Sequence, residues 1–233
     1  LGEYHQAFKY ANFFTDFGYT KGYENTSTTK KSGEKSHFFS KIVKNFKGKN
    51  NSENTFNISL QDVSNDKYLK LYKIKSNLVD FNTDTLENSI DFTHSNEDLY
   101  FGINATAFET LKEGYEDKYE YIFPEAFLSK NLVKNNLGNL DLETNLKIHN
   151  YDTNKVTKFF VNDFVWSSNQ IFSDTGLSSK ILGNVKNINY EANNTEIYKS
   201  DHTNELHGAL GLMSELKLQK NTGNSIHKFT PKL

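Results

Sequence analysis

Hydrophobic and polar residues alternate with a period of two along most of this chain. In residues 139–151, NLDLETNLKIHNY, the apolar positions include Leu140, Leu142, Leu146 and Ile148. The polar positions between them are Asp141, Glu143, Asn145, Lys147 and His149. Because successive side chains of a strand point to opposite faces of a sheet, this pattern predicts a strand with one apolar and one polar face.

The same alternation recurs and predicts many further strands. LYFGINATA at 99–107 places Phe101 and Ile103 opposite Asn104. Residues 206–218 place Leu210, Leu212 and Leu216 opposite a polar set with Glu215 and Lys217. Turn signals rich in Asn, Asp, Gly and Ser separate these segments, which predicts about twelve strands of roughly 9 to 15 residues in an antiparallel up-and-down order. In a barrel, the longer connections around 20–36, 76–85 and 110–118 would be expected on one side of the membrane.

Composition limits the classes of protein that fit this pattern. The 233-residue chain has a net charge of −2, and only 36% of its residues are hydrophobic although 14% are aromatic. The net charge shows no excess of basic residues of the kind that binds nucleic acid. The aromatic content is higher than that of disordered chains. No segment reaches the roughly 18 apolar residues of a membrane-spanning helix. Strands of roughly 9 to 11 residues suffice for a membrane barrel, whereas in a soluble sandwich the apolar faces would meet a protein core.

The sequence contains no convincing catalytic or metal-binding constellation. Asp141 and Glu143 would lie about 7 Å apart on one strand face, but any polar strand face offers such pairs. The seven histidines show no short ligand spacing, and there are no cysteines. Pro124 and Pro231 interrupt strand-like runs, where proline indicates a bulge or a locally weakened seam. We therefore predict no enzyme activity, no cofactor and no metal.

Several stretches resemble, in order and spacing, the barrel half of the lipopolysaccharide-assembly protein family LptD, also called OstA or Imp. They are LGEYHQAF, DFGYTKGY, SGEKSHFFSKI, VSNDKYLKLY, DTLENSIDFTH, HNYDTNKVTKF and the final FTPKL, which together extend over essentially the whole chain. The resemblance implies a large antiparallel barrel in the Gram-negative outer membrane that releases lipopolysaccharide into the outer leaflet. It also implies two kinds of partner, an LptE-like plug lipoprotein in the lumen and the periplasmic Lpt bridge.

The sequence departs from this family in what it lacks. The periplasmic jellyroll, the disulfide cysteines and the C-terminal strands are absent, so we expect residues 1–233 to be a fragment of one outer-membrane barrel domain. The lateral-gate residues cannot be placed on it. The expected fold class is all-β, a partial transmembrane antiparallel up-and-down β-barrel that contributes about twelve strands of a larger barrel.

The two strand faces then acquire predicted environments. The lumen-facing residues are predicted to be Asn104, Asp141, Glu143, Asn145, Lys147, His149, Glu215 and Lys217. The lipid-facing residues are predicted to be Phe101, Ile103, Leu140, Leu142, Leu146, Ile148, Leu210, Leu212 and Leu216. Two alternatives stay open: a surface-exposed β-protein that binds glycans or partner proteins, and a general porin or uptake barrel.

Overall fold

A computed structural model describes residues 1–20, 35–112, 114–152, 154–223 and 225–232. The long strands are β2 (Ala11–Thr20), β3 (Lys35–Lys47), β4 (Glu53–Val63), β5 (Thr85–Ser95), β6 (Leu99–Thr110), β7 (Tyr119–Asn135), β8 (Gly138–Tyr151), β9 (Lys155–Ser167), β11 (Leu177–Asn193) and β12 (Thr203–Leu216). The short strands are β1 (Gly2–Ala7), β10 (Ile171–Phe172), β13 (Leu218–Thr222) and β14 (Ser225–Phe229). The helices are α1 (Tyr68–Tyr72) and a 3-10 turn, Lys49–Asn51.

Strands β1 to β12 form one antiparallel sheet in which each long strand pairs with its neighbours in sequence. The short β10 pairs with Ser178 and Ser179 of β11. The strands β13 and β14 form a separate hairpin. The prediction of an all-β, antiparallel up-and-down sheet is confirmed. In the described part of the chain β1 and β12 do not pair with each other, so this sheet is open and not closed into a barrel.

The sheet has two bulges, both in β7. Its pairing shifts register between Ile122 and Glu125, and again between Asn131 and Val133. Pro124 lies inside the first of these irregularities, where the missing N–H of proline removes no ladder hydrogen bond. This confirms the prediction of a bulge at Pro124. Pro231 follows β14, and its carbonyl accepts a hydrogen bond from the backbone N–H of Leu216.

The connections at the two ends of the sheet differ in length. One end of the sheet, here called the short-turn end, carries the turns 8–10, 48–52, 96–98 and 136–137. The 168–176 connection, which contains β10, lies at the same end. Connections 64–84, 111–118 and 194–202 lie at the opposite end, the long-connection end, with the short turn 152–154. The connection predicted at 20–36 falls mostly outside the described residues.

The connection between β4 and β5 is longer than the sequence predicted. It spans 64–84 instead of 76–85 and contains α1, a helix that no helical periodicity indicated. The sequence-adjacent residues Tyr68 and Leu69 are both buried in it, which the alternating exposure of a strand does not allow. This segment, here called the inward connection, packs against one face of the sheet.

The hydrophobic core is small and lies under the inward connection. It consists of Phe39, Val63, Tyr68, Leu69, Val79, Leu86 and Leu111. The protein exposes 16473 Å² of surface, whereas a compact monomer of 26.8 kDa exposes about 10,800 Å². The excess arises because, among the described residues, most of the sheet is a single layer with no second layer packed on it.

Candidate functional site

One face of the sheet carries a continuous row of mostly polar residues from β3 to β12. Residues directly opposite each other on paired strands share a face, so the register defines the row. Its members are Val43, Asn57, Asp91, Asn104, Glu125, Lys147, Phe159, Tyr190 and Thr203. We call this surface the polar face.

The structure places all the predicted lumen-facing strand residues on the polar face. Asn104 and Lys147 belong to the row itself, and Asp141, Glu143, Asn145 and His149 share the same parity on β8. Glu215 lies on the same face of β12 through its pairing with Ser178. Lys217 follows the last residue of β12, and its amine lies 3.0 Å from a carboxylate oxygen of Glu215.

The opposite surface, the apolar face, carries all the predicted lipid-facing residues. The pairing of β5 to β9 aligns Phe92, Ile103, Ala126, Leu146 and Phe160 in one row. Ile181 and Gly183 of β11 pair with Leu212 and Leu210 of β12. Leu210 is 82% exposed and Ile90 51%, so no protein layer covers this face among the described residues. What each face contacts stays a prediction.

The polar face holds charges of both signs close together. The Lys147 amine lies 3.4 Å from a carboxylate oxygen of Glu125, and that of Lys186 lies 2.8 Å from Asp163. His149 Nε2 lies 2.6 Å from Glu120 Oε1. These groups are partly exposed, so each pair adds little stability. The face is therefore a hydrophilic surface of nearly balanced charge and not a field of one sign.

A buried polar network that the sequence did not indicate joins the sheet to the inward connection. His37 Nε2 on β3 lies 3.1 Å from Asp16 Oδ1 on β2. His37 Nδ1 lies 3.1 Å from the hydroxyl of Tyr68 on α1. All three side chains belong to buried residues, and the His37 ring also stacks on Phe39 at 4.9 Å between centroids. The network fixes α1 onto the polar face.

An ion pair fastens the inward connection to its neighbour at the long-connection end. The Lys118 amine lies 2.6 Å from Asp66 Oδ2, and Lys70 bonds Asp84 within the connection. The buried Leu111 extends the shared core into the 111–118 connection. Two long connections are thus packed together over one end of the polar face.

A second connection also folds onto the polar face. Tyr198 from 194–202 contacts Phe159 and Tyr190, with ring centroids 5.2 and 6.0 Å apart. Phe159 and Tyr190 themselves stack at 5.7 Å on adjacent strands. Since both Phe159 and Tyr190 pair into the row of Lys147, these aromatic rings lie on the polar face.

Removing the Tyr68 hydroxyl tests the buried network. We expect Tyr68→Phe to lower the free energy of unfolding by about 1–3 kcal/mol, because the buried His37 nitrogen loses its partner. The neighbouring Tyr72→Phe is the matched control and should stay within about 0.5 kcal/mol, since Tyr72 is exposed. Urea unfolding curves measure both. Equal effects would contradict the network.

Alkaline pH should loosen the inward connection. Burial raises the pKa of Tyr68 above its ordinary value of 10.0, with the charges of Tyr72 and Asp16 adding to it. The hydrogen bond to Asp66 raises the pKa of Lys118 above 10.5. The folded state thus keeps both protons longer than the unfolded chain, so stability falls as the pH rises above about 10.

The ultraviolet absorbance of tyrosinate measures this shift. Subtracting the absorbance titration of the Tyr68→Phe variant from that of the native protein isolates the ionisation of Tyr68. The midpoint of this difference should lie at a pH above 10.0, the ordinary pKa of tyrosine. A midpoint at or below that value would contradict the burial of the hydroxyl under the inward connection.

The described residues show no arrangement that indicates chemistry. No group of three or more His, Cys, Asp or Glu side chains is placed there to hold a metal ion. Asp141, half of the carboxylate pair considered from the sequence, accepts hydrogen bonds from the amides of Asn131 and Asn139. In the same residues, no helix is long and apolar enough to cross a membrane.

Comparisons with known proteins give no assignment. No protein-family model matches this sequence, and no curated protein is significantly similar to it.

Proposed function

We propose that this chain forms part of the wall of an outer-membrane β-barrel that transports lipopolysaccharide and inserts it into the outer leaflet. The observation that carries the proposal is a single-layer sheet with an uncovered apolar face and a polar opposite face. Such a sheet is stable only if its apolar side meets lipid or another apolar layer. Its ten long strands have 10 to 17 residues, enough to cross a bilayer when tilted.

In this proposal the polar face lines the lumen and contacts the sugars of the passing amphiphile. On β8, Glu143 and Asn145 are exposed on this face, and their side-chain oxygens are accessible there. The hydroxyl groups of a sugar are suitable donors for such oxygens. The chain performs no chemical step, and an LptE-like plug and the periplasmic Lpt bridge would be its partners in the Gram-negative outer membrane.

The lipopolysaccharide part of the proposal rests on the ordered sequence motifs and requires a test in cells. Depletion of the protein in the organism that encodes it should reduce lipopolysaccharide at the cell surface and accumulate it at the inner membrane. Surface labelling of the core sugars measures the first, and fractionation of the two membranes measures the second. Unchanged surface lipopolysaccharide after depletion would overturn the proposal.

A general porin or uptake barrel is the second candidate, and the inward connection favours it. A segment packed on the polar face through Tyr68, Leu69 and Val79 would narrow an aqueous lumen. This candidate predicts steady ion conductance across liposome membranes by the protein alone. A lipopolysaccharide transporter whose lumen is occupied by a plug predicts closed liposomes until the plug is removed.

A further inference from the structure

An unpaired basic patch lies at the short-turn end of β1 to β4. Its lysines are Lys9, Lys44, Lys47 and Lys49. The turns that carry them are adjacent, because the backbone N–H of Asn45 donates to the carbonyl of Tyr10 at 2.9 Å. None of the four forms an ion pair with a carboxylate among the residues that the structure describes. In a protein of net charge −2, this is a local excess of positive charge.

Aromatic side chains are interleaved with these lysines. Phe8, Tyr10 and Phe46 are all exposed at the same end of the sheet. The Lys9 amine lies 4.9 Å from the centre of the Tyr10 ring. Alternating cationic and aromatic groups match the level of a bilayer at which phosphate groups meet the upper part of the acyl chains.

The position of Lys44 shows where the apolar face ends. Lys44 belongs to that face, since it pairs with Ala11 on β2 and with Phe56 on β4. Its amine lies 5.5 Å from the centre of the Phe46 ring, two residues nearer the turn. The stem therefore covers apolar surface while the charge is held toward the strand end, as long cationic side chains do at membrane interfaces.

A cavity lies between the two turns. Its volume is about 740 Å³, and Phe8, Tyr10, Asn12, Phe46, Lys47 and Asn54 line it. Glu53 is the one carboxylate of this lining. Lys9 also lines it, and Glu53 lies opposite Lys47 on the paired strands, so the cavity combines apolar walls and amide groups with a small net positive charge.

We propose that this patch binds the phosphate of an anionic phospholipid such as phosphatidylglycerol. The headgroup would lie among Lys9, Lys44 and Lys49, and the acyl chains would extend along Phe13 and Ile42, which share the apolar face with Lys44. The inference rests on the membrane placement proposed above and goes beyond it, because it assigns a second lipid, in the leaflet at the short-turn end. Complementary charge argues for this occupant over a zwitterionic lipid.

A fluorescent probe at the patch tests this inference. The chain has no cysteine, so Asn51→Cys in the 3-10 turn can carry a single bimane label on the full chain folded into vesicles. Nitroxide-headgroup phosphatidylglycerol or phosphatidylcholine then quenches the label. We expect phosphatidylglycerol to associate with the patch at least about fivefold more strongly than phosphatidylcholine, which is the effect of one lysine near an anionic surface. This preference should decrease at high salt, because salt screens the charges.

Two matched variants locate the effect. Replacing all four patch lysines by glutamine should reduce the preference to about one. The control replaces an equal number of lysines at the long-connection end, Lys73, Lys75, Lys112 and Lys199, and should leave the preference unchanged. Equal quenching by both lipids in the unaltered patch, or equal loss in both variants, would overturn the inference.

A second label separates failure of this inference from failure of the proposed function. Bimane at Leu146→Cys, on the apolar face, should be quenched by phosphatidylcholine brominated on its acyl chains. Quenching at 146 without preference at 51 overturns the phospholipid site alone. No quenching at either position overturns both the membrane placement and the site.

Discussion

Replacing Phe39 by alanine should lower the free energy of unfolding by about 3–5 kcal/mol, the usual cost of removing a buried aromatic side chain. Phe39 lies on β3, and its side chain is completely buried under the inward connection. There it packs in one cluster with Leu69 and Leu86. Its loss leaves a cavity that the paired strands around it cannot close. Because this core is the main one in a largely single-layer sheet, few other contacts can compensate.

Phe38→Ala is the matched control for this prediction. Phe38 is the adjacent residue on the opposite face of β3, and 44% of its surface is exposed. Its truncation leaves no enclosed cavity, so we expect a loss of only about 1–2 kcal/mol. Urea unfolding of the folded protein measures both variants. Equal losses would show that the inward connection does not pack on Phe39.

Leu146→Lys should cost about 2–4 kcal/mol if the apolar face meets the middle of a bilayer. Leu146 lies near the centre of β8, in the row with Ile103 and Phe160. A charge there must be desolvated or must deform the surrounding lipid. The effect should be visible as a lower midpoint of urea unfolding for protein folded into phospholipid vesicles.

Glu143→Lys on the same strand provides the control for Leu146. Glu143 is exposed on the polar face and forms no ion pair among the described residues. Introducing a lysine there should change the free energy of unfolding by less than about 1 kcal/mol. If the two variants were equally tolerated, the apolar face would not lie in lipid. If Glu143→Lys cost more, the faces would be reversed.

The sequence predicted the sheet well because period-two alternation is a local property. On β8 and β12 the alternation continues without interruption, so Asp141 and Leu142 fall on the faces expected of them. On β7 two bulges shift the parity, and alternation alone would assign some residues there to the wrong face. The bulge at Pro124 was foreseeable from proline chemistry, whereas the one near Val133 carries no comparable sequence signal.

The packing of the inward connection could not be read from the sequence. Its decisive contact joins His37 to Tyr68, which are 31 residues apart. Scattered histidines on polar strand faces gave no sign that one of them was buried between a carboxylate and a phenol. In KYLKLYKIK the lysines at 67, 70 and 73 are three residues apart, a spacing sustained for too few residues to predict a helix, although α1 buries Tyr68 and Leu69 together. Such tertiary contacts override local preference.

The nearest-neighbour order of the strands also bears on how such a sheet can change in evolution. Since each long strand bonds only to those before and after it in sequence, the gain or loss of one hairpin leaves every other pairing intact. In a closed barrel the diameter grows with the number of strands. If the sheet is part of such a barrel, as proposed, duplication of a single hairpin would therefore widen that barrel in one step, with the Asp16–His37–Tyr68 contact left undisturbed.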